Sequence, residues 1–363
     1  MNTQFPGSWQ TAQRGALRVA FVACNRNPAR FREDPSFIYR CENLGLALQA
    51  AGHQVSWLHW TALRPAQRFD VVVFHRPRWS LRWRALMWWL RRCGTTLAAD
   101  VDDLVFDAAL APHSPGVLNN QVPLKQTQRL FASHFQALAC FDRLTVSTLP
   151  LSGHVREHFP LARVEVLPNA VHLAWRGVSS GREKKDARPV VTYFPGTRSH
   201  DRDFAVFADG VARFLAVHPE ARLEVTGPLQ FDLAARPGQV VHQEKVPFSR
   251  YAERARSAWV NLAPLEETPF TRCKSALKVL EAGFWGAPTV CSPLPDAERF
   301  AAAGAILASD GQACFEALQS LLEPARYAAA TRGLAERVLA QADVGRVAEA
   351  FLQFVGAGPA AGR

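Results

Sequence analysis

No two cysteines in this 363-residue chain are spaced C-x-x-C, although seven cysteines are present. Scattered and odd in number, they outline neither a zinc site nor a disulfide framework, and they read as small buried hydrophobes kept reduced. No apolar run approaches the ~18–20 residues needed to cross a bilayer. Residues 1–14 are polar and lack the apolar core of a signal segment, so a cytoplasmic protein is expected. Short-period repeats are missing, and the only low-complexity tract is the small-residue tail after Phe354. Acids are the minority charge, 32 against 42 Lys and Arg, for a net charge of +10. That excess raises the question of a polyanionic partner. The basic residues are spread rather than striped, however, and no DNA- or RNA-binding module is legible, so nucleic acid is not expected.

What the chain does have is apolar residues in alternating blocks. Hydrophobic residues make up 48% and charged residues 20%, which excludes wholesale disorder. At roughly 100–200 residues per domain the length allows two domains or one large one. Residues 17–23, 54–60, 69–75, 95–99, 144–147 and 164–167 read as strands. Helices are predicted over 36–51, 81–92 and 124–140, and Gly52 and Gly94 follow the first two where C-terminal stops belong. Residues 179–188, SSGREKKDAR, are polar, charged and aperiodic, which marks a linker. Beyond it strands are predicted at 190–194, 223–226, 240–243, 259–263 and 288–291, with helices at 203–217, 251–257 and 274–285. Strands alternating with helices predict an α/β chain of two Rossmann-like doubly wound domains facing across a cleft. The domains would be 1–178 and 189–340, with a helix and tail over 341–363 packing back on the first.

The main chemical signal lies between residues 260 and 288. On a helix over 274–285, Lys274, Lys278 and Glu281 share one face. Two lysines four apart repel, and both fall in the first turns, where the positive end of the macrodipole prefers acids. Capping favours an acid three residues after the cap, yet Thr271 is followed by Lys274 and Ser275 by Lys278. Each mismatch costs only tenths of a kcal/mol, but all point to a helix start suited to an anion such as phosphate. Glu281, one turn further in, could then accept hydrogen bonds from a sugar hydroxyl such as ribose. The alternative is that both lysines snorkel to solvent; the flanking Leu277, Val279, Leu280 and Ala282 favour burial.

The order APLEETPF…CKSALKVLEAGFWGAPTVCS closely resembles the carboxyl-terminal domain of the GT-B "group 1" nucleotide-sugar glycosyltransferases. The resemblance extends to PGTRSHDRD at 195–203, to Thr226-Gly227-Pro228, Val246-Pro247-Phe248 and Leu167-Pro168-Asn169-Ala170, and covers about half of the chain. It implies transfer of a sugar from a nucleotide-sugar donor to a glycan or lipid-linked acceptor, with retention, in bacterial surface polysaccharide or lipopolysaccharide synthesis. The second domain would hold the donor and the first the acceptor. Lys274, Ser275 and Lys278 look like ligands of the donor phosphates, and Gly196, Thr197 and Arg198 like the loop that approaches them. Glu281 looks like the ribose carboxylate. Pro247, Phe248 and Tyr251 lie where the base packs, and Glu266 and Glu267 where donor sugar and ribose are recognised. The nucleotide-sugar would be a substrate, with no cofactor and no metal expected. In one departure, Cys273 stands where the family's first paired glutamate falls, displacing that role to Glu266 or Glu267. Cys273 is also the feature that favours the rival reading, a non-catalytic nucleotide-binding scaffold of the same fold on a membrane or polyanion.

Three other constellations stand out. Asp100-Val101-Asp102 has the D-x-D form that can hold a hard cation. It is read instead as cleft-lining, with Asp102 and Asp103 as candidate catalytic carboxylates that orient or deprotonate an acceptor hydroxyl. His200, beside the Gly196 loop, is a third catalytic candidate. Residues 76–92 contain six arginines and four tryptophans. They read as an ordinary helix packing a stripe of Trp79, Trp83, Leu86 and Leu90, as a peripheral contact with anionic membrane on its inner face, or as a capture site for an acidic glycan.

Overall fold

A computed structural model describes residues 15–64, 66–176, 189–196 and 200–356. The predicted linker, 179–188, lies wholly outside this set, as do Thr197 and Arg198. The first six strands are β1 (Arg18–Ala23), β2 (Gln54–His59), β3 (Val71–His75), β4 (Thr96–Val101), β5 (Arg143–Val146) and β6 (Arg163–Val166). All pair in parallel, in the order β2-β1-β3-β4-β5-β6. The second sheet contains β7 (Val190–Tyr193), β8 (Arg222–Thr226), β9 (Val240–Gln243), β10 (Val260–Ala263), β11 (Thr289–Cys291) and β12 (Ala305–Leu307). It too is parallel, in the order β12-β11-β10-β7-β8-β9.

Both faces of each sheet are covered, which explains why the strands read as continuous apolar runs rather than alternations. Along β1, Ala20 and Val22 face Trp83, Leu90 and Phe141. Val19 and Phe21 face Leu44, Leu48 and Phe351 on the other side. The period of two that separates the two cores is the pleat itself. In the second sheet Val191, Tyr193 and Leu262 pack under the helices Asp201–Val217 and Gly311–Leu321. Those helices cross at Gly210, where a Cβ would come within 1.9 Å of the Gly311 carbonyl oxygen, so only glycine fits. The last helix, Val344–Gly356, leaves the second domain and buries Val344, Ala348, Phe351 and Phe354 on the first sheet.

Local differences from the expected elements have physical causes. The first helix is interrupted by a π-turn at Ile38–Glu42, which directs Tyr39 and Arg40 inward. In the helix Leu81–Arg92 the buried stripe is Trp83, Met87 and Leu90, and Leu86 is only partly covered. Its arginines Arg82, Arg84, Arg91 and Arg92 are exposed. Among the described residues no helix is long and apolar enough to cross a membrane.

Candidate functional site

In the second sheet the strand order reverses between β7 and β10, the point at which loops leaving the carboxyl ends of a doubly wound sheet diverge and a ligand crevice is expected. Gly196, three residues after β7, has φ +78, a left-handed conformation that other residues avoid, and its carbonyl accepts a hydrogen bond from Lys245 Nζ at 3.0 Å. His200 then leads into the helix Asp201–Val217. Its Nδ1 lies 2.6 Å from Asp203 Oδ2, while Asp203 Oδ1 accepts the backbone N–H of Glu266 at 2.9 Å. One buried carboxylate thus ties the β7 loop to the β10 loop. Burial, followed by the charge of Lys278, brings His200 down to about 4, which leaves the imidazole neutral near pH 7.

Of the two lysines only Lys278 rides the first turn of a helix, where the spacing predicts that both do. Thr271–Cys273 forms a single 3-10 turn, Lys274 is extended (φ −72, ψ 147), and the helix begins only at Leu277. Two long-range partners hold residues 274–276 outside the helix. Asp296 Oδ2 accepts the Ala276 N–H at 2.7 Å, and Ser275 Oγ accepts from Asn169 Nδ2 at 2.8 Å. The acid missing from the helix start is therefore supplied from elsewhere in the chain.

Lys274 reaches across the cleft to Asp103 Oδ1 at 3.5 Å and lies over the Phe270 ring at 5.3 Å. Lys278 has no carboxylate within ion-pair distance among the described residues, and its ammonium stands 6.0 Å from the Tyr193 ring centroid. Burial pulls its pKa down; the charge of Lys274 acts in the same direction, and those of Asp203 and Glu281 oppose it. The site therefore holds two ammonium groups and one neutral imidazole, and Lys278 is the ammonium without an ion-pair partner among the described residues.

Glu281 is 7% exposed and accepts the phenol of Tyr39, from the first domain, at 2.5 Å. Burial pushes its carboxyl up to about 7, against the pull of the Tyr39 hydrogen bond and of Lys278. Around this contact Tyr39, His172, Trp175 and Phe248 form an aromatic cluster that joins the domains. Phe248 stacks on Trp175 at 5.4 Å and 17°. Tyr251 stacks on the same indole at 6.3 Å, and Pro247 caps the helix Phe248–Ser257 from an exposed position. Glu266 is gripped through both guanidinium arms of Arg202, whereas Glu267 pairs with Arg272 at 2.6 Å and is 67% exposed. Cys273 is buried among apolar groups of the first domain, and burial pushes its thiol up to about 12. Its carbonyl accepts from Thr148 Oγ1 at 2.8 Å. A glutamate there would be a charge without a partner, so the position is an apolar plug between domains.

On the first-domain side the carboxylates are fully engaged. Asp100 receives a forked contact from Arg40 (2.6 and 3.2 Å), His75 Nδ1 (2.9 Å) and Thr145 Oγ1 (2.7 Å). Ser36 Oγ links His75 Nε2 (2.8 Å) to Asp102 Oδ2 (2.5 Å). Arg76, held at φ +48, binds Asp102 at 2.5 Å and Asp103 at 2.7 Å. Arg40 also reaches Asn169 Oδ1 at 3.3 Å. A single polar circuit therefore runs from Ser275 through Asn169, Arg40, Asp100, His75, Ser36, Asp102, Arg76 and Asp103 back to Lys274. Ser36, His75 and Asp100 stand in the order of a nucleophilic triad, but Asp102 holds the hydroxyl and Arg40 the aspartate, so the network positions groups instead of activating one. Arg76 and its neighbours keep Asp102 ionised, well below the usual carboxylate range. Among the described residues no cluster of three or more His, Cys, Asp or Glu could hold a metal ion.

Of the residues expected from the sequence, Gly196, His200, Lys274, Ser275 and Lys278 share the crevice with Asp102 and Asp103 facing them. Glu281, Phe248 and Tyr251 form its aromatic end, and Glu267 points away. Tyr39, Arg40, Arg76, Asn169 and Asp296 were not legible as partners, because each acts on a group far away in the chain, as Asp203 also does toward Glu266.

A family model described as "Glycosyl transferase-like" matches residues 207–353. A search of curated proteins returns no match. Solved structures align along nearly the whole chain at low identity. The trehalose-6-phosphate synthase OtsA has a TM-score of 0.62 at 11% identity, covering 94% of this chain and 100% of that one. A glycosyltransferase from Rickettsia africae ESF-5 has a TM-score of 0.62 at 8% identity, covering 94% and 98%. AviGT4, a glycosyltransferase involved in avilamycin A biosynthesis, has a TM-score of 0.56 at 15% identity, covering 94% and 97%. At these identities the likeness is one of fold, two doubly wound domains with six parallel strands in each. The whole chain thus has the GT-B fold of these structures, and residues 207–353 match the glycosyl transferase-like family.

Proposed function

We propose that this chain moves a sugar, with retention, from a nucleotide-sugar to a glycan or lipid-linked acceptor in the assembly of a bacterial surface polysaccharide or lipopolysaccharide. The observation that supports it most is Lys278, a partly buried cation with no carboxylate within ion-pair distance among the described residues, beside Lys274 and neutral His200 at the switch point of the second sheet. A diphosphate supplies the missing charge. As the glycosidic bond to the donor breaks, negative charge grows on the departing nucleotide, and ammonium groups already in place stabilise it without reorganising. Thr197 and Arg198 keep their assignment to the phosphate loop. Asp103, facing Lys274 across the cleft, is assigned to orient the acceptor hydroxyl, with Asp102 holding Arg76 in register. Pro247, Phe248 and Tyr251 form the wall assigned to the base, and Glu266 borders the donor sugar.

Purified protein incubated with a panel of nucleotide-sugars tests the reading. One donor should release its nucleoside diphosphate, faster with acceptor than without; no release from any donor would contradict it.

Glu281 is assigned to the ribose, whose hydroxyls would displace the Tyr39 phenol. The ionised form is the better acceptor, and the carboxyl titrates near 7 rather than at the usual 4.5. Nucleotide affinity should therefore rise about tenfold from pH 6 to pH 8 as the proton leaves. Between the two values the folded state holds a proton that the unfolded chain has lost, so stability falls as pH rises through this window. In Glu281→Gln both slopes should vanish. An unchanged affinity profile in that variant would remove the ribose assignment.

A further inference from the structure

The first domain has its own switch point, between β1 and β3, where the order β2-β1-β3 reverses. A cavity of about 380 Å³ opens there, lined among others by Asn25, Arg26, Trp60, Arg78, Trp79 and Ser80. Its lining contains two arginines and no aspartate or glutamate. Arg26 is exposed and Arg78 half-buried, and among the described residues neither forms an ion pair. Arg78 Nε and Asn25 Oδ1 are both buried without a hydrogen-bond partner among the described residues. By contrast Arg40, and Arg76 two residues before Arg78, are paired with carboxylates. Burial and the charges of Arg26 and Arg76 pull the Arg78 pKa down, as expected of a guanidinium short of anions. Ser80 caps the twelve-residue helix Leu81–Arg92, whose positive end adds to the same field.

Position ties the cavity to the transfer site. Arg76 and Arg78 are separated by Pro77 alone, and the left-handed turn at Arg76 sends its guanidinium to Asp102 and Asp103 in the cleft, while Arg78 lines the cavity. Trp60 and Trp79 add flat apolar surface of the kind that packs on a sugar ring. We propose that this cavity binds the acceptor through an anionic group, a phosphate or carboxylate carried on a sugar, held by Arg26 and Arg78 with the ring against the two tryptophans. The proposal rests on the transfer reading above, because it names the acceptor class for that reaction.

Calorimetric titration of the full chain with glucose, glucose 6-phosphate, glucuronate and inorganic phosphate tests it. At least one charged sugar should bind tenfold or more tighter than glucose, and weaken as salt is raised. Arg78→Gln and Arg26→Gln should each weaken that binding about tenfold or more, the loss of a charge-assisted hydrogen bond. Arg26 is exposed, so its variant cannot lose binding merely by misfolding. Equal binding of charged and neutral sugars, no binding of either, or unchanged affinity in both variants would overturn the proposal. Inorganic phosphate binding as tightly as the sugar phosphate would reduce the site to a bare anion hole and overturn the acceptor assignment. Parallel titration with nucleoside diphosphates separates the two readings. Charged sugars binding without any nucleotide would sink the transfer reading and leave the cavity standing; nucleotides binding without charged sugars would do the reverse.

Discussion

Replacing Arg40 with methionine is expected to cost about 3–5 kcal/mol of folding stability, the penalty for stranding a buried charge. The Arg40 and Asp100 side chains are 3% and 4% exposed, and the guanidinium supplies both arms of a fork to the carboxylate. Without it, Asp100 retains only His75 and Thr145, and Asn169 loses the contact that helps it hold Ser275 across the domain boundary. Denaturant unfolding of the variant measures the loss. Combining Arg40→Met with Asp100→Leu removes both charges and should recover most of it, since an apolar pair of similar volume is often as stable as a buried ion pair. A single variant within about 1 kcal/mol of wild type would show that the circuit through Asp100 is not a structural element.

Lys278→Met has the opposite profile, losing function without losing stability. The lysine lacks an ion-pair partner among the described residues and is partly dehydrated, so an isosteric apolar chain should leave stability unchanged or raise it slightly. Affinity for a nucleoside diphosphate should fall roughly 100-fold, the loss of a charge-assisted contact with phosphate in a partly desolvated site. A surface lysine would move neither quantity, and a structural lysine would lower stability first. The variant therefore separates three roles in one experiment, and the gap between stability and affinity marks a residue kept for function.

The sheets were legible because their strands are buried on both faces, and such strands announce themselves as runs like VVVFH in β3 and RVAFVA in β1. Helix boundaries near the site were less so. The spacing of Lys274, Lys278 and Glu281 is helical in sequence, yet Asp296 and Asn169 capture residues 275 and 276 and delay the helix to Leu277. No local rule anticipates a cap supplied from twenty residues further along. Cys273 shows the same limit. Its meaning depends on the first-domain groups around it, Thr148 among them, and not on its neighbours in sequence. Asp100 and Asp102 were legible as a pair on one face of a strand end, but their partners Arg40, His75 and Arg76 were not, because pairing is decided by strand order. Lys274 and Lys278 stood out as candidates in the sequence because two lysines sit uneasily at the start of a helix that otherwise follows propensity.

Phosphate is the group that the site between β7 and β10 is expected to bind. Titrating matched nucleosides and nucleoside diphosphates into wild type and Lys278→Met by calorimetry asks this directly. For one base, the diphosphate should bind wild type at least 100-fold tighter than its nucleoside, and the variant should lose most of that advantage. Nucleoside and diphosphate binding wild type with equal affinity, or an advantage untouched by the substitution, would contradict it.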